Sequence, residues 1–209
     1  MLKSTSNFFK MLCCLGTLLF FSVDASATHS MGLDLTYNCI GNNQYEINLT
    51  FYRDCNGIGV PQTTTVNWAA ACGSGSVNLS QISMVEITPA CPGIVGTACN
   101  GGSGIYGIEK YSYQGVITLP TGCTDITLSY SNCCRNNAIT TLTSPGGENI
   151  NVEAAIANAA MCNNSPIFTN DPVPFGCVGQ PVFYNHGASD PDGDVLTYSL
   201  VDCLDGSSV

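Results

Sequence analysis

Positive charge is what this 209-residue chain has least of: five lysines and arginines stand against fifteen acidic residues, a net charge of −10. Lys3 and Lys10 sit at the extreme N-terminus, so Arg53, Lys110 and Arg135 are the only cations after residue 27. Nucleic acid and anionic membrane surfaces need basic patches and are disfavoured as partners. Histidine is equally scarce. Only His29 and His186 could join a thiolate zinc site, and no C-x-x-C spacing occurs. Neither histidine has a G-x-S-x-G partner, so no nucleophile–base set is assembled. Glu86 and Glu109 could in principle pair as hydrolase carboxylates, but glutamates at strand edges are more often solvated. No enzyme is expected. Gly102 to Gly107, "GSGIYG", matches G-x-G-x-x-G letter for letter. A cysteine loop precedes it and a strand pattern follows, whereas a nucleotide fingerprint needs a strand before and a helix after.

Long apolar runs are missing too. Met11 to Val23 spans 13 residues, short of the ~20 that cross a bilayer. It follows Lys3 and Lys10 and precedes Ala25-Ser26-Ala27, the order of a cleaved export signal over residues 1–27. No small residue precedes Cys13 or Cys14 as a lipoprotein site would require. The expectation is an exported protein, not membrane-spanning once the signal is cut.

Cysteine, by contrast, is abundant. Thirteen occur, and eleven lie beyond the signal, at 39, 55, 72, 91, 99, 123, 133, 134, 162, 177 and 203. Export with dense cysteine and no zinc spacing reads as a disulfide framework, each bridge worth ~2–4 kcal/mol. The odd number leaves one thiol free, joined to another molecule, or paired beyond residue 209. A local Cys91–Cys99 bridge is expected in the long Gly-rich connector Cys91 to Gly107. Cys133 and Cys134 are adjacent at a strand end, point to opposite faces and should bond to different partners. Arg53 and Arg135 each stand beside a cysteine, where an Arg commonly forks onto backbone or carboxylate rather than making a ligand site.

Strand signals fill the remainder. Met31, Leu33, Leu35, Tyr37 and Cys39 alternate with polar residues, Gly41-Asn42-Asn43 turns, and Tyr45, Ile47, Leu49 and Phe51 alternate again. This is a β-hairpin with one buried face. It separates Cys39 from Cys55 by some ~40 Å at ~3.3 Å per residue, so these two should not bond to each other. Further strands are expected at Thr63–Trp68, Val77–Thr88 with a bulge, Tyr111–Leu119, Thr124–Cys133 and Asn149–Ile156. Ala154–Ala160 is the one short helix candidate. Trp68, Tyr111 and Tyr113 could stack on sugars, but core packing is the simpler role for each. Many short strands with turn signals argue for an all-β, immunoglobulin-like β-sandwich over residues 28–162. The Pro- and Asn-rich Cys162 to Cys177 stretch changes character, and a boundary is placed near Asn163. Residues 163–209 are too few for a complete sandwich of roughly 100 residues. They read as the start of a second, truncated β domain, or else as a small extension packed on the first.

Within that part, "HGASDPDGDVLTYSL" puts Asp190, Asp192 and Asp194 at alternate positions. Asp190-Pro191-Asp192-Gly193 is a good turn sequence. The turn leaves Asp194 unexplained, and crowded carboxylates outside cells are usually relieved by Ca²⁺, at an extracellular affinity of ~10⁻⁴–10⁻³ M. The stretch is no EF-hand, since Val201 stands where a bidentate Glu would be needed. Turn and metal site are compatible.

"DPDGDVLTYSL" resembles the motif of cadherin-like repeats in bacterial surface proteins, whose aspartates bind Ca²⁺ near a domain junction. Together with "FYRDC", "YGIEKYSYQGVITLP" and "NCCRNNAI", the chain resembles the N-terminal region of large secreted Bacteroidetes proteins. Such proteins often carry PKD or cadherin-like repeats and end in a gliding-motility-associated sorting domain; PKD repeats and a sorting domain are not read in this sequence. The resemblance implies Ca²⁺ ligands at Asp190, Asp192 and Asp194, cell-surface display and adhesion to extracellular protein or glycan surfaces. A carbohydrate-binding module of a secreted protein is the alternative.

Overall fold

The computed structural model describes residues 29–88, 96–102, 106–172, 179, 181 and 183–202. The expected export signal over residues 1–27 and Cys91, Cys177 and Cys203 therefore lie outside the described residues. Strands β1 (Ser30–Gly41), β2 (Gln44–Asp54), β3 (Thr63–Ala70), β4 (Gly73–Glu86), β5 (Ile108–Thr118), β6 (Thr124–Cys133) and β7 (Asn149–Asn158) are joined by turns and two short 3-10 segments. All seven form one antiparallel sheet in the order β1-β2-β5-β4-β3-β6-β7. The all-β expectation holds. The pairing is one continuous sheet, rolled until its edges β1 and β7 face each other as a nearly closed barrel, rather than two separate sheets.

The first hairpin shows why. Asn42 and Asn43 form a two-residue turn with φ of 54° and 56°, the left-handed pair that matches strand twist. Leu35, Tyr37, Tyr45, Ile47, Leu49 and Phe51 then fall on one buried face, as the alternation predicts. Met31 does not join them. A register irregularity between Ser30 and Gly32 turns it outward, and it stays exposed. The expected bulge in β4 lies between Gln81 and Ser83. Val66, Val77, Leu79, Tyr113, Ile117, Ile126, Leu128 and Ile156 complete the core, each fully buried large side chain contributing about 1.5–3 kcal/mol. Gly115 permits this packing: a Cβ there would sit 2.5 Å from the Asn78 carbonyl oxygen.

Buried tyrosines keep their hydroxyls paired. Tyr113 donates to the Pro61 carbonyl at 2.8 Å and Tyr37 to the Ala155 carbonyl at 2.8 Å. Burial pushes the Tyr113 phenol up to about 12.

Three expectations need correction. Ala154–Asn158 is strand, not helix: Val152, Ala154 and Ile156 pack on the core at alternate positions, so burial overrides alanine's helix preference. Cys99 bonds to Cys55, not to Cys91. The chain returns from the connector so that Cys55 N–H donates to the Gly107 carbonyl, and a Cβ on Gly107 would lie 2.3 Å from Cys99 Sγ. Cys133 and Cys134 bond to each other; the peptide between them is cis and their Cα atoms lie 3.1 Å apart, outside the alternation of a strand. The other bridges among the described residues are Cys39–Cys162 and Cys72–Cys123, so Cys39 and Cys55 are indeed not bonded to each other.

After Cys162 the described chain has little regular structure. Two short strands, β8 (Ile167–Phe168) and β9 (Ala188–Ser189), pair antiparallel.

Candidate functional site

The edge of β1 is where the two parts of the chain meet. Tyr37 and Cys39 point their backbone N–H groups away from β2, and an unpaired edge invites other strands. Residues 164 and 165 cover it. Tyr37 N–H donates to Ser165 Oγ and Cys39 N–H to Asn164 Oδ1, both at 2.8 Å, while Ser165 N–H returns a bond to the Tyr37 carbonyl at 3.0 Å. The Cys39–Cys162 bridge fixes this contact covalently. The barrel seam is thus closed by the segment that leaves β7.

Asp192 grips that same segment. Its carboxylate accepts from Asn164 N–H at 2.7 Å and from Asn164 Nδ2 at 3.0 and 3.2 Å. Asp190 shapes the turn: Oδ1 accepts from the N–H groups of Asp192 at 2.8 Å and Asp194 at 3.2 Å, and its carbonyl accepts from Gly193. Gly193 carries φ +83°, the left-handed conformation that makes glycine the natural residue there. The Asp194 carboxylate accepts no hydrogen bond from the described residues. It lines a cavity of ≈ 510 Å³ at the seam, with Tyr37, Asn158, Met161 and Asn163.

The sequence expectation grouped three carboxylates as cation ligands. The Asp190 carboxylate is engaged by the turn and that of Asp192 by Asn164, and the three do not bring their oxygens within 4.8 Å of one another. Among the described residues, only Cys55, Cys99 and Glu109 gather so closely, and those two sulfurs share a disulfide. In donor chemistry the turn suits a hard cation: the Asp194 carboxylate and Asp190 Oδ2 are uncommitted, and Asp192 is held by amide donors alone. The Asp192–Asn164 contact was not legible in the sequence, since a carboxylate and an amide 28 residues apart leave no local signature.

The other candidate residues are structural. Arg53, buried, pairs with Glu109 and donates to the Cys55 carbonyl at 3.3 Å. Glu109 is therefore not solvated; it also accepts from Tyr111 Oη at 2.7 Å. Glu86 lies opposite it in the β4–β5 register and accepts from Thr97 Oγ1. Arg135 Nε donates to the Asn149 carbonyl at 2.7 Å. His186 stacks on Phe168 with ring centroids 4.1 Å apart and shares a 2.7 Å hydrogen bond with Tyr184. Trp68, Tyr111 and Tyr113 all pack in or against the core. No helix among the described residues is long and apolar enough to cross a membrane.

No protein-family model, curated protein or solved structure matches the chain.

Proposed function

We propose that the chain is an extracellular structural or adhesive module of a cell surface, stiffened by Ca²⁺ at the Asp190–Asp194 turn. The observation that carries this reading is the path Asp192–Asn164–Cys39. An acidic turn bonded to the segment that closes the barrel seam can transmit its own order to the joint. Asp194, Asp190 and Asp192 would hold the cation, which would neutralise three like charges in five residues. Four disulfides among the described residues suit an oxidising, exported setting.

The second part of the chain is read as belonging to a cadherin-like β domain. Val195, Leu200 and Val201 are at least 82 % exposed in a strand-patterned run without a sheet, which supports a domain whose further strands would cover them. An immunoglobulin-like division of the first domain would fall between β3 and β6, joined only through Asn67–Ala69 against Thr127–Ser129.

The test is thermal unfolding with Ca²⁺ or with chelator, beside Asp192→Ala and Asp194→Ala. Ca²⁺ at ten times a Kd of ~10⁻³ M would stabilise by about 1.4 kcal/mol, a rise of a few degrees in midpoint. The rise should vanish in both variants. An unchanged parent midpoint would reduce "DPDGD" to a turn.

A further inference from the structure

Between the outer face of the first hairpin and the 167–171 strap lies a second cavity, of ≈ 320 Å³. Its floor is polar by register. Asp34 lies opposite Thr50 and Tyr52 opposite Lys110, with Thr36 one alternation along, so their side chains share the face turned away from the core. The strap supplies the opposite wall through Phe168, Asn170 and Asp171, and it is pinned at several points. Lys110 Nζ bonds Asp171 Oδ1 at 2.6 Å, Asn170 Nδ2 bonds the Asn185 carbonyl at 2.8 Å, and Thr169 N–H bonds the Gly187 carbonyl at 2.8 Å. The cavity is built by two packed elements rather than by one loose loop.

From these residues we infer that the cavity is a binding site for a neutral pyranose sugar, with Asp34 as its principal acceptor and Phe168 as its apolar platform. Size fits first: ≈ 320 Å³ is at the lower end of ligand sites, roughly 300–1,000 Å³. Chemistry fits next. A pyranose presents several hydroxyls that both donate and accept, together with an apolar C–H face. Asp34 Oδ2 accepts from Tyr52 Oη at 2.9 Å, and Oδ1 accepts nothing from the described residues. The hydroxyls of Thr36 and Thr50 can donate or accept, and Asn170 keeps its carbonyl oxygen because only its amide nitrogen is used. Among the described residues Phe168 has one ring neighbour, His186, and it is 47 % exposed, leaving aromatic surface for a sugar's C–H face.

Charge decides the class of sugar. Lys110 is neutralised by Asp171, which leaves Asp34 as the uncompensated charge. An anionic sugar would meet repulsion; a neutral one gains a charge-assisted hydrogen bond. A metal is disfavoured, because no third ligand gathers with Asp34 and Asp171 among the described residues. Asp34 is also costly where it stands. Burial holds its carboxyl above the usual range although Tyr52 donates to it, and a desolvated carboxylate lining a cavity is a candidate functional position. Sugar binding here does not depend on Ca²⁺ at the Asp190–Asp194 turn.

The experiment is NMR titration of the purified protein with glucose, galactose, mannose and N-acetylglucosamine, with glucuronate and an alkylammonium as charged controls. At least one neutral sugar should saturate with a Kd on the order of 10⁻³ M. Its shifts should map to Thr36, Thr50, Phe168 and Asn170. Phe168→Ala and Asp34→Asn should each weaken it by about tenfold, and the asparagine retains an acceptor for Tyr52, so the fold should persist. Thr50→Val, on the outer face, is a second variant that should weaken binding without disturbing the core. No saturation by any neutral sugar at about 50 mM, saturation that survives all three substitutions, or preference for glucuronate or the alkylammonium would each overturn the assignment.

Discussion

Cutting the Cys39–Cys162 bridge with a Cys39→Ala/Cys162→Ala double substitution should cost more stability than cutting any of the other three bridges among the described residues. The bridge closes a sequence separation of 123 residues, and the chain-entropy relation gives about 5 kcal/mol for a loop of that length. The overlapping bridge Cys72–Cys123 shortens the effective loop to roughly 70 residues, but the logarithm lowers the figure by only about 0.5 kcal/mol. Cys133–Cys134 closes a separation of 1, for which the same relation leaves about 1 kcal/mol. In a domain of this size, the thermal midpoint should fall about 10–20 °C without Cys39–Cys162, and only about 2–4 °C without Cys133–Cys134. The assay is thermal unfolding of both double variants under oxidising conditions, with peptide mapping to confirm that the remaining bridges are native. The reasoning fails if the first variant falls no further than the second. The seam would then be held by its hydrogen bonds, with the covalent staple redundant.

Glu109→Gln should destabilise by about 2–4 kcal/mol, read by urea unfolding, because the Arg53 and Glu109 side chains are only 11 % and 13 % exposed and the variant leaves a buried guanidinium without its counter-charge. A loss below about 1 kcal/mol would mean the pair is solvated in solution. Asp34→Asn gives a pH signature. Burial raises the Asp34 carboxyl in the folded state from its ordinary 3.8, so the folded protein binds more protons than the unfolded one over that range. The contribution of this group is then fullest at low pH and is lost as pH rises through the folded value. The variant should be more stable than the parent at pH 7, with the difference closing below about pH 4. A parent that gains stability relative to the variant as pH rises would reverse the sign and contradict the burial argument.

Period-two patterning was the readable part of this fold. The β1–β2 hairpin, its Asn42-Asn43 turn, the bulge in β4 and the bounds of β6 all follow from alternation and turn chemistry, because one buried face fixes register. β7 was misread at its C-terminal half, where alanine's helix preference hid the inward alternation of Val152, Ala154 and Ile156. Disulfide partners were readable only by elimination over long distances, as with Cys39 and Cys55. Spacing could not bring Cys99 to Cys55, because that pairing depends on how the connector folds back past Gly107. The DPDGD turn was legible as a turn. Its attachment to Asn164 was not, and neither was the cavity under the 167–171 strap, since both arise where distant segments pack.

The central claim is that the acidic turn and the barrel seam are one mechanical unit. Amide hydrogen exchange at Tyr37 and Cys39, whose N–H groups bond Ser165 and Asn164, tests it most directly, measured by NMR with Ca²⁺ and with chelator. The account predicts slower exchange at both amides when Ca²⁺ is added, with core amides such as Leu49 unchanged and the effect abolished by Asp192→Ala. Identical exchange at Tyr37 and Cys39 with and without Ca²⁺, at concentrations well above ~10⁻³ M, would show that the turn does not communicate with the seam through a cation.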